Sequence, residues 1–145
     1  MQNEDLVVVK NLTKHFPVRP GFLGRSSSFV HAVDDVSLSI KRGQTLGLVG
    51  ESGCGKTTIG RLVLRLLPKT SGSISFEGKD IFAFGRQEEK AFRRDAQLIF
   101  QDAFSSFDIR NTVGAIVGEP LKVHHAVPDS EIEDRVAELL RTVKL

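Results

Sequence analysis

The sequence has a single cysteine, no long apolar run and no block of basic residues. One cysteine, Cys54, excludes a disulfide within the chain and indicates a cytosolic protein. No apolar stretch approaches the roughly 20 residues that a membrane-spanning helix needs, and the polar, acidic residues 1–5 argue against a secretory signal. The net charge of +2 in 145 residues is spread along the chain, so the composition gives no support to nucleic-acid binding. What remains is a composition typical of one globular domain.

One glycine-rich stretch is more specific than the composition. Residues 50–57 read Gly-Glu-Ser-Gly-Cys-Gly-Lys-Thr, with two glycines flanking four residues ahead of Lys and Thr. The apolar residues 44–49 before it predict a buried strand, and the apolar positions of residues 57–67 after it predict a helix. Strand, glycine loop and helix are the context in which this pattern indicates a phosphate-binding loop. A dinucleotide-binding loop fits less well, because Thr58 stands where that motif needs a third glycine.

The residue types in this stretch suit a triphosphate chemically. Glycine permits positive φ angles, which let successive backbone N–H groups point toward one anion. The positive end of the following helix dipole reinforces that attraction. Lys56 can reach the β- and γ-phosphate oxygens, and the Thr57 hydroxyl can ligate Mg²⁺. The sequence therefore predicts a nucleoside-triphosphate site at this loop.

The remaining segments are assigned from periodicity and turn residues. Further strands are predicted over residues 6–12, 29–40, 73–76 and 96–100, with a turn at 41–43 and a loop at 17–28. Helices are predicted over residues 86–94, 111–124 and 130–145. Ser130, with Glu133 three residues later, is the expected N-cap of the last helix.

Three stretches of the sequence resemble one known family. They are Leu-Thr-Lys-His-Phe-Pro-Val at 12–18, His-Ala-Val-Asp-Asp-Val-Ser-Leu at 31–38, and residues 43–58. They are similar to the ATPase subunits of ABC transporters, within the oligopeptide/dipeptide (peptide/nickel) importer branch. The resemblance implies an α/β fold: the N-terminal part of a P-loop NTPase core with an antiparallel β layer, plus the start of a helical subdomain. It implies an ATP-binding core over residues 1–110 and the helical subdomain from 111 to 145.

The resemblance also implies the ligands and their residues. ATP and Mg²⁺ are the expected cofactors, with Phe16 stacked on the adenine ring and Gln101 contacting Mg²⁺ and the attacking water. From the residues alone, Phe16 is better explained as a packing residue at a strand end, and only the resemblance favours stacking. Thr57 and Gln101 are the expected metal ligands. The full expected nucleotide site is Phe16, Gly50, Glu51, Ser52, Gly53, Cys54, Gly55, Lys56, Thr57, Thr58 and Gln101.

Several motifs of the resembled family are absent from the 145 residues. There is no Leu-Ser-Gly-Gly-Gln signature, no apolar strand leading directly to Asp-Glu, and no switch histidine after one. The resemblance therefore implies the N-terminal portion of a longer ATPase, with no complete catalytic set and with Lys56 and Gln101 contributing. The family is an ATPase, but almost no hydrolysis is expected from the chain alone. The implied partners are a second ATPase subunit, in a homo- or heterodimer, and transmembrane permease subunits. The implied location of the ATPase is the cytoplasmic face of the membrane. No nucleic-acid partner is implied.

Two alternatives stay open at this point. The first is a small stand-alone P-loop NTPase or kinase, in which Asp102 after the apolar residues 98–100 would serve as the carboxylate. The second is a non-catalytic fragment that docks through its helices, since residues 130–145 carry one apolar stripe.

Overall fold

The structure, a computed structural model, describes residues 5–18, 28–101 and 107–145. These residues divide into two compact units, unit 1 up to Arg93 and unit 2 from Arg94 onward. Unit 1 contains an antiparallel sheet of four strands in the order β2-β1-β3-β4. The strands are β1 (Asp5–Val18), β2 (Ser28–Lys41), β3 (Ser71–Phe76) and β4 (Lys79–Asp80). The predicted antiparallel layer is therefore present.

The long hairpin of β1 and β2 is the frame of unit 1. Alternating residues of β1 are buried, and Val9 and Leu12 are almost fully so, as expected for a strand with one face on a core. The register shifts between Lys14, which pairs with Val33, and His15, which pairs with His31. Ala32 is therefore an extra residue on β2, a β-bulge that bends the strand locally.

Helix α1 (Lys56–Val63) follows the glycine-rich stretch directly. Leu62 is its buried residue and the helix packs against β2. The predicted helix to residue 67 is too long, because Arg65 adopts a positive φ of 52° and the N–H of Leu66 turns back to the Arg61 carbonyl. The helix therefore ends before Leu64 in a left-handed cap.

Helix α2 (Arg86–Asp95) covers β3 with one aromatic residue. The ring of Phe92 lies 5.2 Å from Phe76 and 5.6 Å from Phe84, both edge-to-face, and Phe92 is buried. A short 3₁₀ turn, Ile81–Ala83, connects β4 to this helix and buries Ile81. Unit 1 thus has its own apolar core between sheet and helix.

Unit 2 contains helices α3 (Val113–Val123) and α4 (Ile132–Thr142), which pack on each other. The two helices approach each other closely at Gly118, where an added Cβ would lie 3.4 Å from methyl groups of both Ile132 and Val136, in van der Waals contact. The Thr112 hydroxyl accepts from the Ala115 N–H and caps α3. None of the helices in the described parts of the chain has the length and apolar character needed to cross a membrane.

Two predicted strands are wrong. Residues 44–49 and 96–100 have no strand assignment, although their sequences are apolar. A strand exists only when a neighbour takes up its backbone hydrogen bonds, and the described residues provide no neighbour for these segments. Val49 and Ile99 are 98% and 94% exposed, so the predicted burial of these segments is wrong as well.

Two boundaries also differ from the prediction. Pro17, Val18 and Ser28 fall in the predicted loop but belong to paired strands, with Pro17 opposite Phe29 and Val18 opposite Ser28. Residues 19–27 lie outside the described parts of the chain.

Ser130 does not cap α4: it lies in a 3₁₀ turn, Asp129–Glu131, that precedes the helix, and no side chain caps Ile132. The turn replaces the capping box by satisfying the first N–H groups locally.

Candidate nucleotide site

The predicted phosphate loop, residues 50–57, is shaped by Gly55, the last residue before α1. Gly55 has φ 95°, a left-handed conformation that glycine adopts without strain. A Cβ at this position would also lie closer than 3.0 Å to the carbonyl oxygen of Ala32 in β2. Both conditions require glycine. The bulge at Ala32 thus provides the carbonyl against which the loop packs.

The start of α1 presents backbone donors at this loop. The first hydrogen bond within the helix runs from the Ile59 N–H to the Gly55 carbonyl at 2.9 Å. The N–H groups of Lys56, Thr57 and Thr58 therefore have no acceptor inside the helix, and no side chain caps them. An uncapped helix start with the positive end of its dipole is a site for phosphate.

The Lys56 ammonium group folds back over the loop. Its Nζ donates to the carbonyl oxygens of Gly50 at 2.7 Å and Glu51 at 2.6 Å, and lies 3.4 Å from the Sγ of Cys54. A lysine has three N–H donors, so all three are directed at the loop itself. The contact with sulfur is the longest and weakest. It is the one that a phosphate oxygen would replace at least cost.

The other predicted loop residues surround this centre. Glu51, Ser52, Gly53 and Cys54 are exposed, as is Thr57, while Thr58 is half-buried. The Cys54 N–H donates to the Glu51 carbonyl at 3.4 Å and closes the turn. Thr57 is accessible at the helix start, and its predicted role as a ligand of Mg²⁺ stays a prediction.

Phe16 lies near the end of β1, opposite Val30 of β2. It is half-buried, and the Nζ of Lys14, a buried lysine, lies 4.8 Å from its ring centroid. Val30 is two residues from Ala32, a separation of about 7 Å along a strand, and Ala32 contacts Gly55. The hairpin therefore places Phe16 opposite a β2 residue that lies two positions from the one in contact with the loop. The sequence alone did not indicate Lys14, although its spacing of two from Phe16 places both on one face of β1.

Gln101 is described as an exposed residue of unit 2 that follows the segment 96–100. The loop and Phe16 belong to unit 1, so the joint role of Gln101 with them stays a prediction. Asp102, the carboxylate of the kinase alternative, lies outside the described residues.

The sequence comparisons identify the family of the chain. The chain belongs to the ABC transporter family, whose sequence pattern matches residues 33–145. It is 47% identical over 142 residues to "Glutathione import ATP-binding protein GsiA" of Pectobacterium atrosepticum, covering 98% of this chain and 23% of that protein. It is 42% identical over 143 residues to "Oligopeptide transport ATP-binding protein AppF" of Bacillus subtilis, covering 98% of this chain and 44% of that one. The predicted recognition of an ABC ATPase of the peptide-importer branch is confirmed.

Solved structures of ATP-binding cassettes match the fold of this chain. A dimeric post-hydrolysis state of the ATP-binding cassette MJ0796, bound to ADP and Pi, superposes with a TM-score of 0.72 at 26% identity. The match covers 96% of this chain and 57% of that one. The predicted fold class is thereby confirmed. The chain spans less than half the length of the two curated relatives and little more than half of the solved cassette.

Proposed function

We propose that the chain is the ATP-binding part of an ABC import protein whose cargo is a peptide or a peptide-like molecule. Nucleotide binding rests above all on the start of α1, where Gly55 adopts a left-handed conformation and the N–H groups of the first turn are uncapped. The import role rests on the printed functions of the relatives, glutathione import and oligopeptide transport. Residues 1–110 form the ATP-binding core, and residues 111–145 begin the helical subdomain.

Each predicted residue has a role in this proposal. The backbone of residues 50–58 cradles the phosphates, Lys56 exchanges its contact with Cys54 for a phosphate oxygen, and Thr57 ligates Mg²⁺ together with Gln101. Phe16 stacks on the adenine. The Lys14 ammonium lies beside the Phe16 ring, so the ring that would stack on the adenine has a positive charge next to it. A positive charge there suits a base that is attached to a polyanion.

The chain alone binds ATP with little turnover in this proposal. Phosphoryl transfer needs a positioned metal, a positioned water and charge stabilisation besides the phosphate cradle, and the sequence lacks the Asp-Glu pair that would supply two of these. A second ATPase subunit and permease subunits are the proposed partners. The proposed location is the cytoplasmic face of the membrane.

Two variants test the nucleotide site, with inorganic triphosphate as the matched ligand that lacks a base. Lys56→Met should weaken both Mg·ATP and Mg·triphosphate, because a charge-assisted hydrogen bond contributes about 1.5–3 kcal/mol, or roughly ten- to a hundredfold. Phe16→Ala should weaken Mg·ATP alone, since base stacking contributes about 1–3 kcal/mol. Titration calorimetry measures both affinities.

The exposed Lys10 of β1 provides the control, because Lys10→Met removes an equal charge away from the loop. If Lys56→Met and Lys10→Met bind ATP alike, the loop is not the phosphate site. If Phe16→Ala weakens triphosphate as much as ATP, Phe16 supports the hairpin rather than the base. Appreciable ATP turnover abolished by Asp102→Asn would favour the stand-alone enzyme instead.

A further inference from the structure

Three side chains at the β1–β2 hairpin bring metal-ligating atoms close to one another. His15, His31 and Asp34 each provide one such atom, and all three atoms lie within 4.8 Å of one another. The two histidines are direct cross-strand partners, and their ring centroids are 3.9 Å apart. The Nδ1 of His31 lies 4.0 Å from an Oδ2 of Asp34. Two imidazoles and a carboxylate are ligands typical of Zn²⁺ and similar divalent transition metals.

The environment of His15 gives a reason for a ligand at this point. His15 is half-buried, and its Nε2 is fully buried without a hydrogen-bond partner among the residues that the structure describes. Leaving a buried polar atom unpaired costs free energy that a metal or a hydrogen bond would recover. The backbone at His15 is fixed, because its N–H donates to the Thr70 hydroxyl at 3.0 Å.

We propose that His15, His31 and Asp34 form a binding site for a divalent transition metal, with Zn²⁺ as the reference ion, and that the bound ion ties β1 to β2. Zn–N bonds of about 2.0–2.1 Å in a tetrahedral site bring ligand atoms to within roughly 3.4 Å of one another. The ligand atoms therefore have to approach by about 1 Å or a little more. His31 and Asp34 can make that adjustment, since their side chains are 59% and 69% exposed.

A simpler interpretation of the same residues is a ring stack with a weak ion pair. In that interpretation His31 and Asp34 form an exposed pair at 4.0 Å, which contributes little to stability. It leaves the buried Nε2 of His15 without a hydrogen-bond partner among the described residues. The metal site accounts for the closeness of all three groups, and it does not depend on the proposed nucleotide site.

The position of the proposed metal site in the hairpin predicts what a bound ion would stabilise. His15 precedes Phe16, and neighbouring strand residues face opposite sides of the hairpin. An ion bound by His15 and His31 would fix the strand pairing next to Phe16 from the face opposite to its ring. It should therefore stabilise the hairpin without competing directly for the nucleotide.

Metal binding can be measured on the 145-residue chain without an added histidine tag. Zn²⁺ affinity is determined by competition with a chromophoric indicator, and Co²⁺ serves as a spectroscopic probe of the coordination. His31→Gln and Asp34→Asn should each lower the Zn²⁺ affinity at least about tenfold, since even changes to groups behind the ligands cost ten- to a hundredfold. Zn²⁺ should also raise the melting temperature of the wild-type protein by several degrees and leave that of His31→Gln unchanged.

His125→Gln is the matched control, because it removes one of the other two histidines, in unit 2, and should bind Zn²⁺ like the wild type. His15→Gln adds a third ligand variant, but His31 and Asp34 are exposed and their replacement does not threaten folding. Equal affinity in wild type, His31→Gln and Asp34→Asn would overturn the proposal. So would a loss of Zn²⁺ binding in Cys54→Ser alone, since the ion would then sit on the single thiol.

Discussion

At the scale of single residues, Gly55 and Lys56 decide what the loop can do. Gly55 has a positive φ and a close backbone contact with Ala32, and each of these two features by itself favours glycine at this position. Lys56 holds the loop by donating to two of its carbonyls. The same side chain that is expected to bind phosphate therefore shapes the loop beforehand. The third N–H of Lys56 makes only a long contact with the Cys54 sulfur, so this donor is the easiest of the three to redirect to a ligand.

Replacing Gly55 should cost more stability than replacing another loop glycine with a similar φ. Gly53 has φ 83°, and a methyl group added there would meet no atom within 4 Å, so Gly53→Ala should lose only the left-handed strain of about 1–2 kcal/mol. Gly55→Ala adds a collision with a backbone oxygen and should lose roughly 1–3 kcal/mol more. Urea unfolding measures both. Equal losses of unfolding free energy in the two variants would mean that the β2 backbone at Ala32 moves to accommodate the added methyl group.

At the scale of elements, α2 is anchored by a carboxylate at its third position. Glu88 accepts from the Gly85 N–H at 3.2 Å and from the Lys79 Nζ at 3.0 Å, so one side chain ties the helix start to β4. Its return to the N–H before the helix is half of a capping box. The Lys79 hydrogen bond, helped by the Gly85 N–H, holds the pKa of the Glu88 carboxyl below its ordinary value of 4.5.

This lowered pKa predicts a pH dependence of stability. A carboxyl with a folded-state pKa below its unfolded value stabilises the fold above the unfolded value, and the contribution fades as the pH falls through the folded value. Glu88→Gln should therefore unfold at lower urea than the wild type at pH 7, and the gap should narrow below pH 4.5. Lys79→Met should behave in the same way. A gap that stays constant between pH 7 and pH 3 would contradict the role of the charge.

At the scale of the whole molecule, each unit has a packed core and an apolar segment whose side chains are mostly exposed among the described residues. In unit 1 that segment is residues 44–49, and in unit 2 it is residues 96–100. Neither segment is helical, and neither is paired as a strand within the described ranges. Exposed apolar segments with unpaired backbone groups are templates for association between chains.

The 145-residue chain should accordingly self-associate as its concentration rises, and a charge in one of these segments should reduce the effect. Ile99→Lys places an ammonium group at a 94% exposed position, so it should lower association without a loss of folding stability. Ile109→Lys is the control, because Ile109 is 95% exposed but lies outside both segments. Light scattering against concentration compares them. If both variants behave alike, general charge rather than strand pairing controls association.

Much of the site was predictable because its chemistry depends on local sequence. The order of glycines, Lys56 and Thr57 predicted the loop, and the helix after it begins where that order requires. The predicted strands at 44–49 and 96–100 failed because pairing depends on a neighbour that no local pattern encodes. The His15–His31–Asp34 group was missed for a related reason: sixteen positions separate the two histidines in sequence, and only the strand register brings them together.

The sequence by itself determined the family, the glycine-rich loop ahead of α1 and the elements with strong periodicity. These follow from short-range rules: which residues tolerate a positive φ, which donors reach a phosphate, and which spacing gives one apolar face. Only the tertiary structure decided the bulge at Ala32, the contact of its carbonyl with Gly55 and the register that pairs His15 with His31. Register and bulges are set by the packing of distant strands, and no window of the sequence contains both sides of that contact.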